Sequence, residues 1–214
     1  VDINIANYPF ATIDPNVGIV SVPDERLTKL AELSKSEKPI PAVVEFYDIA
    51  GLVRGANQGE GLGNQFLSHI REVSIIVHVV RAFRSEEIIH VEGSVDPSRD
   101  METINTELTL KDIDTMDKRI ARGIKEAKTG EKGRAEELKK LEQVKAALDA
   151  GQLAISLGEE LMNEPVIREM GLLTSKPQIV LVNGSESDLD EKFINNVKSL
   201  GFQYVVANLG GEAV

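Results

Sequence analysis

The sequence predicts an α/β fold: a mostly parallel sheet with helices on both faces, interrupted by an inserted antiparallel helical hairpin. Three observations predict it. Short apolar runs at 19–22, 43–47, 75–80, 179–182 and 204–207 alternate with helical patterns at 25–33, 62–72 and 190–200, the order that builds βαβ units. The runs at 75–80, 179–182 and 204–207 are apolar throughout rather than at every second residue, as strands covered on both faces are. Between them, residues 98–175 change texture and become charged and helical.

That middle stretch carries its own signature. Ile113, Met116, Ile120, Ile124 and Ala127 recur at spacings of 3, 4, 4 and 3, and Leu138, Leu141, Val144 and Leu148 do much the same. Thr129-Gly130-Glu131-Lys132-Gly133 between them is a turn signal, and Gly151 is a stop. The pattern predicts two antiparallel helices, a short coiled-coil arm. The domain organisation expected is therefore 1–97 as the first part of one domain, 98–175 as the inserted hairpin, and 176–214 as the returning second part.

Composition narrows the function classes. The 214 residues are 42% hydrophobic and 28% charged, which excludes a disordered or collagen-like chain. The formal net charge is −11, a poor balance for wrapping nucleic acid with the whole surface. Lys111–Lys145 nevertheless holds 11 basic and 8 acidic residues. This is a basic arm on an acidic body; salt-bridging pairs on a solvated helix face would give the same composition. With no cysteine, disulfide frameworks, Fe–S ligation and a thiol nucleophile are excluded, in keeping with a cytoplasmic location. No apolar run reaches the length of a membrane span.

The residues that carry chemistry begin at Asp48-Ile49-Ala50-Gly51, directly after a strand. A carboxylate at the C-terminal end of a parallel strand faces the ligand crevice, where it can hold Mg²⁺ beside phosphate oxygens. The glycine after it lets a backbone N–H approach a phosphate. Alone, D-x-x-G is only a turn Asp followed by a Gly. Its surroundings add weight. Gly55, Gly59, Gly61 and Gly63 make a flexible loop downstream, as a switch segment requires. Thr12, in the loop Asn7-Tyr8-Pro9-Phe10-Ala11-Thr12-Ile13-Asp14-Pro15-Asn16, precedes Asp48 by about 35 residues, the position of a hydroxyl that joins a Mg²⁺ shell.

These motifs, with Gly59-Glu60-Gly61-Leu62-Gly63-Asn64 and Glu102-Thr103-Ile104-Asn105-Thr106-Glu107-Leu108, closely resemble the YchF / Obg-like ATPase family over essentially the whole chain. His90-Val91-Glu92-Gly93-Ser94-Val95-Asp96-Pro97 is similar to its eukaryotic and archaeal branch. The resemblance implies a P-loop NTPase-type domain that hydrolyses ATP with Mg²⁺ and associates with ribosomes as a switch, the large subunit being the partner expected and no membrane being involved. It implies nucleotide contacts from Thr12, Ile13, Asp14, Pro15, Asn16, Ala50 and Gly51, with Thr12 and Asp48 as Mg²⁺ ligands. Asn183-Gly184-Ser185-Glu186 takes the place of the N-K-x-D that reads guanine in ordinary GTPases. Asn183 and Glu186 match the family's N-x-x-E, and an Asn amide can read adenine's N6 and N7. ATP over GTP is the preference implied, with Gly184, Ala207 and Asn208 completing the base site. The basic arm is the place where ribosomal RNA would be met.

Two departures accompany the resemblance. None of the 17 glycines is followed by Lys, so these residues hold no G-x-x-x-x-G-K-[ST] phosphate cradle. The family's TGS domain is also missing from them. The expectation is a fragment lacking its P-loop and inactive alone; a degenerate pseudo-ATPase is the alternative. A GTP-preferring translation factor and a nucleotide-independent ribosome or RNA-binding module also stay open. Leu52 stands where Ras-like enzymes carry the Gln that orients water. His90 is the candidate to replace it, although a histidine with a satisfied hydrogen bond at a strand end reads the same. His69 and His78 are assigned no role.

Overall fold

The structure, a computed structural model, describes residues 16–48, 67, 69–85, 88, 90, 93–128 and 133–212. It divides into two compact units, Val1–Gly51 and Leu52–Val214.

The first unit is a two-stranded ribbon with one helix. Strands β1 (Asn16–Ser21) and β2 (Val43–Asp48) pair antiparallel, Asn16 opposite Asp48 and Ser21 opposite Val43. Helix α1 (Glu25–Ser34) lies between them in sequence. Its N-cap is Asp24, whose carboxylate accepts the Arg26 N–H at 3.0 Å. Residues 17–21 and 43–48 of the two strands are exposed, Ile19 and Phe46 included.

The second unit opens on a helical turn at 69–72, here α2, with Leu67 also helical and both Leu67 and Ile70 buried. Its sheet has the order β3 (Ile76–Arg81), β4 (Gln178–Asn183), β5 (Gln203–Ala207), all parallel. The register places Arg81, Asn183 and Ala207 side by side at the carboxyl edge. Five strands thus fall where the sequence places them, within three residues at each end. The continuous apolar runs promise cover on both faces, and the burial differs. Val80, Val180 and Val182 pack with Met101, Phe193, Val197 and Phe202 on one face. Val77, Val79 and Val205 on the other are 40–54% exposed. The reason is placement: α3 and α7, the described helices in contact with the sheet, share the covered face.

The arm forms as its spacing demands. Helix α3 (Pro97–Ala127) starts at the N-cap Asp96, which accepts the Arg99 N–H at 3.0 Å, with Pro97 in the first turn. Helix α4 (Arg134–Asp149) returns beside it, and Gly151 beyond its end takes a φ of 77°. Met116, Leu141, Val144 and Leu148 are buried between the two helices and the short turns that follow. Those turns include α5 (Glu159–Met162) and α6 (Pro165–Arg168). At Gly123 an added Cβ would meet Arg119 Nη1 and Leu138 Cδ1 at 3.4 Å, so glycine permits the close approach. The first turns of α3 are sheet cover rather than arm, since Met101 belongs to the core of the sheet. Helix α7 (Glu191–Ser199) begins at the N-cap Asp190, and α8 (Leu209–Glu212) ends the described chain. No described helix is long and apolar enough to cross a membrane.

Candidate functional site

The carboxyl edge of β4 and β5 is the best-built candidate among the described residues. The Gly184 N–H donates to the Ala207 carbonyl at 3.0 Å, and the Leu209 N–H donates to Asn183 Oδ1 at 3.2 Å. From β3, the Ala82 and Phe83 N–H groups both donate to the Asn183 carbonyl, at 2.9 and 3.4 Å. Asn183, Gly184, Ala207 and Asn208 are thereby brought together where ligands bind in parallel sheets. Asn208 Oδ1 accepts the Gly211 N–H at 3.2 Å, which shapes the last loop.

Gly184 has a steric reason. A Cβ there would sit 3.1 Å from Ala82 Cβ, 3.2 Å from Asp188 Oδ2 and 3.2 Å from the Phe83 nitrogen. The turn that follows is a closed capping box. Asp188 Oδ2 accepts the Ser185 N–H at 2.8 Å and the Ser185 hydroxyl at 2.6 Å. These two bonds hold the Asp188 carboxyl below its usual range. Glu186 opens the turn, exposed.

One sequence argument changes on this geometry. The tetrapeptide alone is only a polar turn, and the family resemblance is what implies that Asn183 reads adenine. Leu209 occupies one of the two lone pairs of the Asn183 oxygen, and the Nδ2 hydrogens remain to offer a base. They suit N7, an acceptor that adenine and guanine share.

The remaining site candidates are placed unevenly. Asp48 is the last residue of β2, which pairs antiparallel with β1 in a two-stranded ribbon rather than ending a parallel strand as expected from the sequence; its side chain is exposed and makes no hydrogen bond or ion pair among the described residues. Asn16 opens β1. Thr12, Ile13, Asp14, Pro15, Ala50, Gly51 and Leu52 lie outside the described residues. His90 is held: its Nε2 lies 2.8 Å from Asp100 Oδ2 in the first turns of α3, and Arg99 binds the other oxygen of that carboxylate. His69 is helical in α2.

The arm's cations divide into two groups. Arg119 pairs with Glu126 and Glu169, Arg134 with Glu137, Lys140 with Glu164, and Lys145 with Asp117 and Asp149. Lys118, Arg122, Lys125, Lys128 and Lys139 have no carboxylate partner among the described residues. Both expectations for the arm are met in part: paired helix faces and unpaired positive charge.

Two buried polar groups escaped the sequence reading. His78 sits on the covered face of β3, its Nδ1 unpartnered, and burial pushes its imidazole down to about 4. Asp112 is fully buried and accepts three hydrogen bonds from Leu173 and Thr174. A signal for Asp112 existed: it stands midway between Leu108 and Met116 at spacings of four, a carboxylate on the apolar stripe.

Residues 2–118 match the model of the 50S ribosome-binding GTPase family. The ribosome-binding ATPase YchF of Bacillus subtilis is 51% identical over 184 residues, which are 86% of this chain and 50% of that protein. The Escherichia coli O157:H7 protein of the same name is 44% identical over 199 residues, 92% of this chain and 55% of its own length. The Schizosaccharomyces pombe YchF GTPase structure aligns at a TM-score of 0.70 with 39% identity, covering 98% of this chain and 59% of that one. The chain thus spans about half the length of the curated relatives it matches.

Proposed function

The chain belongs to the YchF family, with a domain of the 50S ribosome-binding GTPase type, and on that premise we propose that it supplies the base site, the Mg²⁺ carboxylate and the ribosome-facing arm of an ATP-hydrolysing switch. The observation that carries the reading is the latched edge of β4 and β5, where Asn183 is fixed by Leu209 and Gly184 by Ala207. A base seated there meets the Asn183 amide, with Glu186 exposed on the turn beside it. The first part (1–97) would hold the switch segments, the hairpin (98–175) the ribosome, and 176–214 the base.

The Mg²⁺ assignment suits the donor chemistry. Asp48 offers an exposed carboxylate that is not spent on another side chain among the described residues, and Mg²⁺ binds through one or two carboxylates, waters and phosphates. Thr12 is the proposed second ligand. When bound, the ion neutralises charge on the transferring phosphoryl group. The chain's own part would be positional: by the family resemblance Ala50 and Gly51 would contact the terminal phosphate, and His90, whose Nε2 lies 2.8 Å from Asp100 Oδ2, would be the candidate for the water-orienting place that Leu52 cannot fill.

GTP is the second reading: Leu209 occupies one lone pair of the Asn183 oxygen, and the amide hydrogens suit N7, which both purines offer. One pair of experiments decides. The 214 residues alone should bind ATP–Mg²⁺ weakly, because no G-x-x-x-x-G-K-[ST] stands among them; a micromolar dissociation constant by isothermal titration would remove that claim. Joined to such a segment, they should hydrolyse ATP in preference to GTP. Equal or reversed kcat/KM would assign the chain to the GTPases.

A further inference from the structure

At the root of the arm, three elements enclose a cleft of about 490 Å³, lined by Arg71, Lys111, Asp114, Thr115, Lys118, Arg119, Arg122, Glu169 and Met170. Arg71 comes from α2, residues 111–122 from one face of α3, and residues 169–170 from the segment after α6. The volume is that of a small-ligand site, yet only Met170 is an apolar residue. Five cationic and two anionic side chains face one space on a chain whose net charge is −11.

The cations are arranged rather than scattered. Arg71 Nη2 donates to Thr115 Oγ1 at 2.8 Å, and that hydroxyl donates in turn to the Lys111 carbonyl at 3.0 Å. The Arg71 backbone is fixed as well: Lys176 Nζ donates to the Arg71 carbonyl at 3.0 Å and the Val73 carbonyl at 2.6 Å, capping the end of α2. Arg119 forms a neutralised floor, its side chain 11% exposed between Glu126 and Glu169. Lys118 and Arg122 are exposed, one helical turn (about 6 Å) apart, and have no carboxylate partner among the described residues.

We propose that this cleft is a phosphate-binding site, separate from the nucleotide edge of the sheet, which takes a ligand carrying two or more phosphate groups. With Arg119 already paired, Lys118 and Arg122 are the exposed cations left without a carboxylate among the described residues, and a single carboxylate would compensate only one of them. A phosphate monoester brings about −1.5 to −2 charge and three acceptor oxygens, the match for a wall of guanidinium and ammonium donors. The body's acidic field repels such a ligand elsewhere, so the cleft is where it concentrates. Because Arg71 belongs to the helix that follows the D-x-x-G loop, a ligand here would touch both that helix and the arm. The proposal goes beyond the ATPase reading and does not depend on it.

The test uses the 214-residue chain, with inorganic pyrophosphate and a uridine dodecamer as probes at 150 mM salt. Lys118→Gln/Arg122→Gln changes two exposed positions in the cleft, and Lys192→Gln/Lys198→Gln changes two exposed positions on α7, outside it. At least one probe should bind, weaken at least tenfold in the first variant, and change less than twofold in the second. Pyrophosphate behaving so identifies a small polyphosphate ligand; the dodecamer alone behaving so identifies an RNA backbone as the source. No binding of either probe, equal weakening in both variants, or binding only of an Asp/Glu-rich peptide would overturn the site. None of these readouts involves ATP hydrolysis or ribosomes, so failure here and failure of the proposed function are distinguishable.

Discussion

Thr174 is bound twice by one oxygen of Asp112: its backbone N–H donates to Oδ2 at 2.8 Å and its hydroxyl at 2.7 Å. The Leu173 N–H takes the other oxygen at 2.8 Å. One carboxylate on the arm's first helix thus fixes the segment that leads into β4. Burial pushes its pKa up, against the pull of Thr174, Leu173 and the nearby Arg71.

Replacing Asp112 should therefore be severe. Asp112→Ala leaves two buried N–H groups and a hydroxyl without an acceptor, at roughly 1–3 kcal/mol each. Asp112→Asn turns an amide donor toward groups that are themselves donors. Each variant should lose about 3 kcal/mol or more in urea unfolding, and a loss under about 1 kcal/mol would show that water replaces the carboxylate without cost.

His78 gives the fold an acid sensitivity. Burial holds its imidazole at about 4, down from 6.5, with Asp100 opposing weakly. The unfolded chain then binds this proton at higher pH than the folded chain does. The contribution is fully present above about pH 6.5 and is lost as pH falls through about 4, by about 3 kcal/mol at most. Unfolding of the native chain and of His78→Phe between pH 7 and 4 isolates the group. A stability difference between them that is flat with pH would contradict the assignment.

Gly184 limits how the base site can be re-engineered. Rebuilding N-K-x-D requires Lys at 184, where a Cβ would press on Ala82, Asp188 and the Phe83 backbone. Gly184→Ala should cost about 1–3 kcal/mol by overpacking, and Gly184→Lys should disturb the loop before it alters selectivity. Glu186→Asp, on an exposed turn, should leave stability within about 0.5 kcal/mol. Calorimetry of the three variants orders them, and a stable Gly184→Lys protein would refute the packing argument.

The cations toward the arm's tip predict a salt signature. Replacing Lys125, Lys128, Lys132 and Arg134 with Gln should weaken ribosome association. The dependence of log affinity on log salt should flatten by about 0.7–0.9 for each phosphate that is no longer neutralised. Arg134 already holds Glu137 at 2.9 Å, so it should contribute less than Lys125 or Lys128. Unchanged affinity across a salt series would make the arm a solvated helix pair.

Strand positions and the hairpin were legible in the sequence, because each depends on local rules. Period-two and period-3.6 patterning, glycine at turns, and an Asn at the end of an apolar run are read a few residues at a time. Even Asp24, Asp96 and Asp190 could be placed as N-caps from their position before helical stretches. What sequence could not decide depends on which surfaces meet. Asp112 and Thr174 are 62 positions apart, and Lys176 reaches Val73 across 103. No local pattern encodes those distances. The parallel register sets Asn183 beside Ala207, and the loop after β5 brings the Leu209 N–H onto the Asn183 oxygen. Likewise, basic residues along one helix read as a solvated face until Arg71 and Glu169 close a cleft against them. Local sequence determined the elements and their ends; tertiary packing decided which polar atoms were already spent and which stayed open to a ligand.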